Sequence, residues 1–228
     1  MWLAFSLAVA DTFAPAQRRT LIITVLGTVL LIVALWFSAT FLLSTLHLSG
    51  IGWLDVVINI LGSLAALFVA WVMFPAMTAL ILGFFLDSVI TSIEQRRYPD
   101  LPPPRHVGLR ESLIAALRLA GLALLLNIIA LPLYLLLPLA NVVLFCGING
   151  YIVGREYFAA VAYRRLDAQG VKAMWHAHRI RLLAAGVVMA VLLAIPFVSL
   201  IAPLTGIAFM LHLFEGLRNG PRSNSLIG

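Results

Sequence analysis

Two adjacent arginines, Arg18 and Arg19, stand just past Pro15 at the mouth of the first long apolar run, in "PAQRRTLIITVLG". Proline suits the first turn of a helix, where its missing N–H would have had no acceptor. The arginines therefore fall beside backbone amides that lack intrahelical partners, at the positive end of the helix dipole. Cations are unfavourable there unless something negative joins them. Two guanidiniums and open amides make a site for sulfate, phosphate or a lipid headgroup. The same residues would also serve as positive anchors snorkelling to lipid phosphates, and the local sequence leaves both readings open.

A second group, Glu94, Arg96, Arg97, Asp100, Arg105, His106, Arg110 and Glu111, mixes signs closely enough for ion pairs. It reads as a solvated charge network. Turned toward oligomer partners, Glu94, Arg97, Arg105 and Arg110, with Glu156 further along the chain, would form a vestibule that gathers anions. Catalytic motifs are absent: the chain has no GxSxG, HExxH, Walker loop or GxGxxG, so we expect no enzyme activity and no cofactor. His176 and His178 are two residues apart, not at the i, i+4 spacing that suits a metal, and lone Cys146 offers neither a disulfide nor a thiolate cluster. Transport, if any, would be passive or ion-coupled.

The elements that position these residues are membrane segments. Of 228 residues, 63% are hydrophobic and 11% charged, and the mean hydropathy is +1.07. Such a composition excludes a soluble domain. The pI near 10.2 comes from short basic clusters between charge-free runs, which is the pattern of cytoplasmic flanks and not of nucleic-acid binding. Four runs, 20–54, 56–86, 119–154 and 182–214, contain no Lys, Arg, Asp or Glu. The first two predict long transmembrane helices over 18–46 and 54–97, the second kinked at Pro75 and extending into the cytoplasm. The other two carry Pro132 and Pro138, and Pro196 and Pro203. Helices that stop at the first proline of each pair leave arms of about 20 Å, short of the roughly 30 Å of a hydrocarbon core.

Each proline run thus reads as a partly penetrating helical hairpin, over 108–169 and 172–218, which also puts every basic cluster and both termini on the cytoplasmic side. Residues 1–14 read as an interfacial helix with Trp2, Phe5, Val9 and Phe13 on one face, 98–107 as a stiff proline-rich connector, and 219–228 as a tail. The expected fold is an all-α integral membrane protein with two long transmembrane helices and two Pro-broken hairpins, forming a single membrane domain. Gly150 and Gly154 form a GxxxG that predicts close helix packing. Asn127, Asn141 and Asn149, near membrane depth, predict interhelical hydrogen bonds, with pore lining as the other use.

Four stretches together, "FSLAVADTFAPAQRRTLI", "FPAMTALILGFFLDSVITSIEQ", "NGYIVGREYFAAVAYRRL" and "AIPFVSLIAPLTGIAFMLHLFEGL", resemble the CysZ family of bacterial sulfate permeases over nearly the whole chain. The resemblance implies a homo-oligomeric bacterial inner-membrane protein that brings sulfate into the cell for cysteine synthesis, with sulfite a second candidate anion. It also implies a sulfate-binding Pro-Gly-x-Arg-Arg stretch at the start of the first long helix. Here Pro15, Ala16, Gln17, Arg18 and Arg19 occupy that stretch, with alanine in place of the glycine. Two other classes remain: a membrane-structural or assembly protein binding anionic lipid, and a carrier for another anion or an ion-coupled exporter with Asp87 or Glu156 as proton carrier.

Overall fold

The computed structural model describes residues 1–45, 52–105, 108–136, 141–195 and 198–219. Among them nine α-helices follow in order: α1 Trp2–Thr12, α2 Pro15–Thr45, α3 Gly52–Gly83, α4 Leu86–Arg97, α5 Leu109–Leu136, α6 Asn141–Ala162, α7 Ala168–Ala177, α8 Arg179–Ala194 and α9 Ala202–Asn219. A single 3-10 turn, Val198–Leu200, precedes α9.

Length and hydropathy single out α2 and the Gly52–Trp71 part of α3 as long and apolar enough to cross a membrane. At 1.5 Å per residue, the 31 residues of α2 reach about 46 Å. These two helices pack mainly on each other, and the Trp36 indole N–H donates to the Ser63 carbonyl at 3.2 Å. Their outer faces are greasy and open, with Leu30, Phe37, Phe41 and Phe68 all exposed. In a bilayer that surface needs no protein partner.

The predicted single helix over 54–97 is instead two. A turn at Phe84–Phe85 ends α3 and starts α4, whose polar sequence "LDSVITSIEQRR" carries the chain into a separate core. That core is built where α1, α4, α6, α8 and α9 meet, around fully buried Ile90, Phe158, Leu182, Met189, Phe209 and Phe214. α1 is clamped against α9, with Phe5 meeting the Phe209 ring edge-on at 5.4 Å, while Trp2 and Phe13 stay exposed.

Helices α6 and α8 cross on glycine. A methyl group added at Gly186 would lie 2.0 Å from the Gly150 carbonyl oxygen and 2.8 Å from the Gly154 Cα, so the expected GxxxG packing is present with Gly186 as its partner. Each step up α6 meets a step down α8, so the two helices run antiparallel.

Pro132 does not end its helix. α5 continues through it to Leu136, although the apolar stretch inside it, Leu117–Pro132, is only about 24 Å long. The ring removes one donor and leaves the carbonyl four residues back, at exposed Ile128, without its helical partner. Pro203, by contrast, lies in the first turn of α9, where proline is tolerated. Pro138 and Pro196, the other two breakers, lie outside the described residues. So do the tail from 220 onward and His106, while for Pro75 the structure describes only a backbone that continues as helix to Gly83.

α7 and α8 meet at 89° around His178, which lays α7 across the end of the α6–α8 pair. The extended connector 98–105 is strapped to the residues after α6: Arg105 N–H donates to the Arg164 carbonyl at 2.8 Å, Arg105 Nη1 to Leu166 O at 3.0 Å, and Arg165 to Pro102 O. The start of α5 is thereby held beside the end of α6, as an antiparallel hairpin requires.

Gly186→Ala should lower the stability of the folded protein by about 1–3 kcal/mol, because neighbouring backbone cannot yield as a side chain can. Gly121→Ala on α5, with open space around it, should be neutral or stabilising. Thermal unfolding of the two variants in detergent, followed by tryptophan fluorescence, checks the contrast.

Candidate functional site

Three Arg-Arg pairs occur in this chain, at 18/19, 96/97 and 164/165. Two of them are consumed by buried carboxylates. Asp11, on the last turn of α1, has no exposed surface, yet it gathers Arg96 Nη2 at 2.5 Å, Arg97 Nη2 at 2.8 Å and Arg97 Nε at 3.1 Å. His212 Nε2 lies 2.8 Å from its second oxygen, and His212 Nδ1 pairs with the Tyr98 hydroxyl at 2.8 Å. Burial by itself would raise the Asp11 pKa, but the hydrogen bonds from His212 and Arg97 and their charge hold it below the ordinary 3.8.

The second carboxylate is Glu94, 5% exposed, which meets Arg165 Nη2 at 2.7 Å and Arg164 Nη2 at 3.3 Å. Arg164 also reaches Asp87 at 2.6 Å and the Thr91 hydroxyl at 2.8 Å. On α9, Glu215 accepts from Arg218 at 2.8 Å. A charge this deep is tolerable only when paired and hydrogen-bonded. The pairs fasten α1 to α4 and α9, and α4 to the end of α6.

The third pair is different. α2 starts at Pro15, as its sequence predicts, and Arg18 and Arg19 both point to the surface with no carboxylate against them among the described residues. Gln17 turns the other way: it is buried, and its Nε2 approaches the Val89 carbonyl at 3.5 Å, so it ties the first turn of α2 to α4. The Gln17 amide is taken by Ala14 O at 2.9 Å. Of the amides ahead of the arginines, that of Ala16 is left for an anion, and the Ala16 methyl is exposed.

Among the described residues, two members of the sequence-predicted charge network find partners outside it: Arg97 pairs with Asp11 and Glu94 with Arg164 and Arg165, partners supplied by α1 and the residues after α6. Arg105 belongs to the connector strap, Arg110 is exposed at the start of α5, and Glu156 is exposed on α6. The predicted interhelical bonds of Asn127 and Asn149 are also corrected. Asn127 donates to Ala123 O at 2.8 Å and Asn149 to Phe145 O at 3.0 Å, each within its own helix. Sequence reasoning missed Asp11, Tyr98 and His212 as a unit, although an isolated acid in "LAVADTF" was a visible signal.

Comparison with known families places this geometry. A family model described as Sulfate transporter CysZ/Etoposide-induced protein 2.4 matches residues 4–203. The chain belongs to this family. The match extends from α1 into the first turn of α9 and so includes Asp11, all three arginine pairs and Glu94. No individually curated protein matches the chain.

Asp11→Asn should cost about 2 kcal/mol at neutral pH, because it leaves Arg96 and Arg97 side by side without a counter-charge. Since folding lowers the Asp11 pKa, its stabilisation is complete above the unfolded value of 3.8 and fades as pH falls through the lower folded value. The melting-temperature gap between wild type and variant should therefore be constant from pH 7 to 5 and narrow below pH 4.

Proposed function

We propose that this chain is a sulfate permease of the bacterial inner membrane, carrying the dianion into the cytoplasm for cysteine synthesis without ATP. The family of transporters to which it belongs supports an anion substrate and a membrane setting. The observation that carries the residue assignment is the contrast among the three arginine pairs: Asp11 and Glu94 neutralise two, and Arg18/Arg19 stay open at the positive end of the longest apolar helix span. A tetrahedral dianion between the two guanidiniums, with the Ala16 N–H as a further donor, relieves their repulsion and the unfavourable dipole interaction together. The methyl of Ala16 narrows the approach to that amide, which makes this a weaker site than a glycine would give.

The basic ends of all the helices lie on the cytoplasmic side in this reading, and the α5–α6 and α8–α9 pairs enter and return from that face. Hairpins of this depth enclose no full pore alone, so the pathway runs between protomers of a homo-oligomer. Arg110 and Glu156, both exposed, are available to line it.

Arg18→Ala/Arg19→Ala should reduce saturable sulfate uptake into proteoliposomes at least tenfold, because each charge-assisted contact contributes more than about 1.5 kcal/mol. Both side chains are exposed, so the melting temperature should not change. Sulfite should compete with sulfate in the wild type. Uptake by the double variant equal to wild type would remove the assignment.

A further inference from the structure

A cavity of about 280 Å³ lies far from Arg18 and Arg19 in sequence, between α5, α6 and α7. Its lining is basic without being acidic. Arg118 from α5, Arg155 from α6, and Lys172 and His176 from α7 all border it, and no carboxylate does among the described residues. Arg118, Arg155 and Lys172 are among the cations that the buried acids leave unused. Its floor is aromatic: Trp175 is almost fully buried, Tyr151 meets it edge-on at 5.8 Å, and the Arg155 guanidinium lies over its ring at 4.8 Å. Stacking of this kind fixes the guanidinium plane while leaving its N–H groups free to donate.

The opposite wall is apolar. Leu119 and Leu122 line the cavity, and from Leu122 the same face of α5 continues outward through exposed Leu125 and Ile129 at helical spacing. A free inorganic dianion would use the cations and gain nothing from this ridge. A phosphodiester carrying acyl chains would use both, its phosphate among the four basic groups and a chain along α5.

We infer that the α5–α6–α7 cavity is a binding site for the headgroup of an anionic phospholipid, separate from the Arg18/Arg19 anion site. The lipid occupies the place where three helices leave a gap, and joins α7, the helix turned by 89°, to the hairpin formed by α5 and α6.

Trp175 supplies the readout. In the full-length protein with Trp2, Trp36, Trp53 and Trp71 replaced by phenylalanine, phosphatidylglycerol with brominated acyl chains, titrated into detergent micelles, should quench Trp175. Brominated phosphatidylcholine should need a much higher mole fraction to do the same. Arg118→Gln/Lys172→Gln, which changes two exposed side chains and leaves the core intact, should weaken the phosphatidylglycerol response about tenfold or more, since each basic residue is worth roughly fivefold against an anionic headgroup. Equal quenching by the two lipids, or no effect of the double variant, overturns the inference. So does displacement of the lipid by millimolar sodium sulfate at ionic strength matched with chloride, which would make the cavity a site for a free oxyanion. Arg18→Ala/Arg19→Ala should leave the quenching unchanged, so failure here and failure of the transport reading are distinguishable.

Discussion

A carboxylate buried almost completely must find cations, and that requirement organises the charged end of this molecule. Asp11 and Glu94 are such groups, and each is answered by a pair of arginines from a distant part of the chain. Desolvating an unpaired ion costs several kcal/mol, more than most single contacts return, so these pairings leave little freedom in how the helix ends meet. The end of α1 must sit by the end of α4, and the end of α4 by the end of α6; His212 and Tyr98 then bring α9 against the same layer. α2 leaves from this layer two residues after α1, so the orientation of Arg18 and Arg19 is inherited from the Asp11 cluster and from Gln17 against α4.

The same accounting separates structural from functional arginines. A guanidinium held by a buried acid has its charge spent, whereas one at a helix N-terminus with no acid nearby still has an unfavourable interaction that an anion can remove. Sequence position alone does not separate the cases, because all three pairs follow or precede apolar segments. Burial does. Glycine at the α6–α8 crossing acts alongside the ion pairs, letting two backbones approach closely where lipid offers no hydrophobic drive for association.

What could be read from the sequence was local or periodic. The length of α2, its start at Pro15 and the close packing at Gly150 and Gly154 all depend on residues within a few turns of each other. The continuous α5 was misread because an exposed proline removes one hydrogen bond without forcing a chain reversal, and neither the asparagine bonds nor the partners of Glu94 follow from spacing. Asp11 meets Arg96 across 85 residues and His212 across 201, a separation at which no periodic pattern carries information. The candidate anion site was visible as residue types at a helix start, while its contrast with the neutralised pairs required the fold.

In the proposed topology this ionic layer lies on one face of the membrane and the hairpins return to it. In a Cys146→Ala background, single cysteines at Asp167, Ala177 and Gly216, all exposed, can be probed in intact cells with a membrane-impermeant maleimide. With that topology none is labelled until the inner membrane is permeabilised, and all three then react. Labelling of any one of them from outside would place part of the layer across the bilayer, and would contradict the architecture from which the transport reading follows.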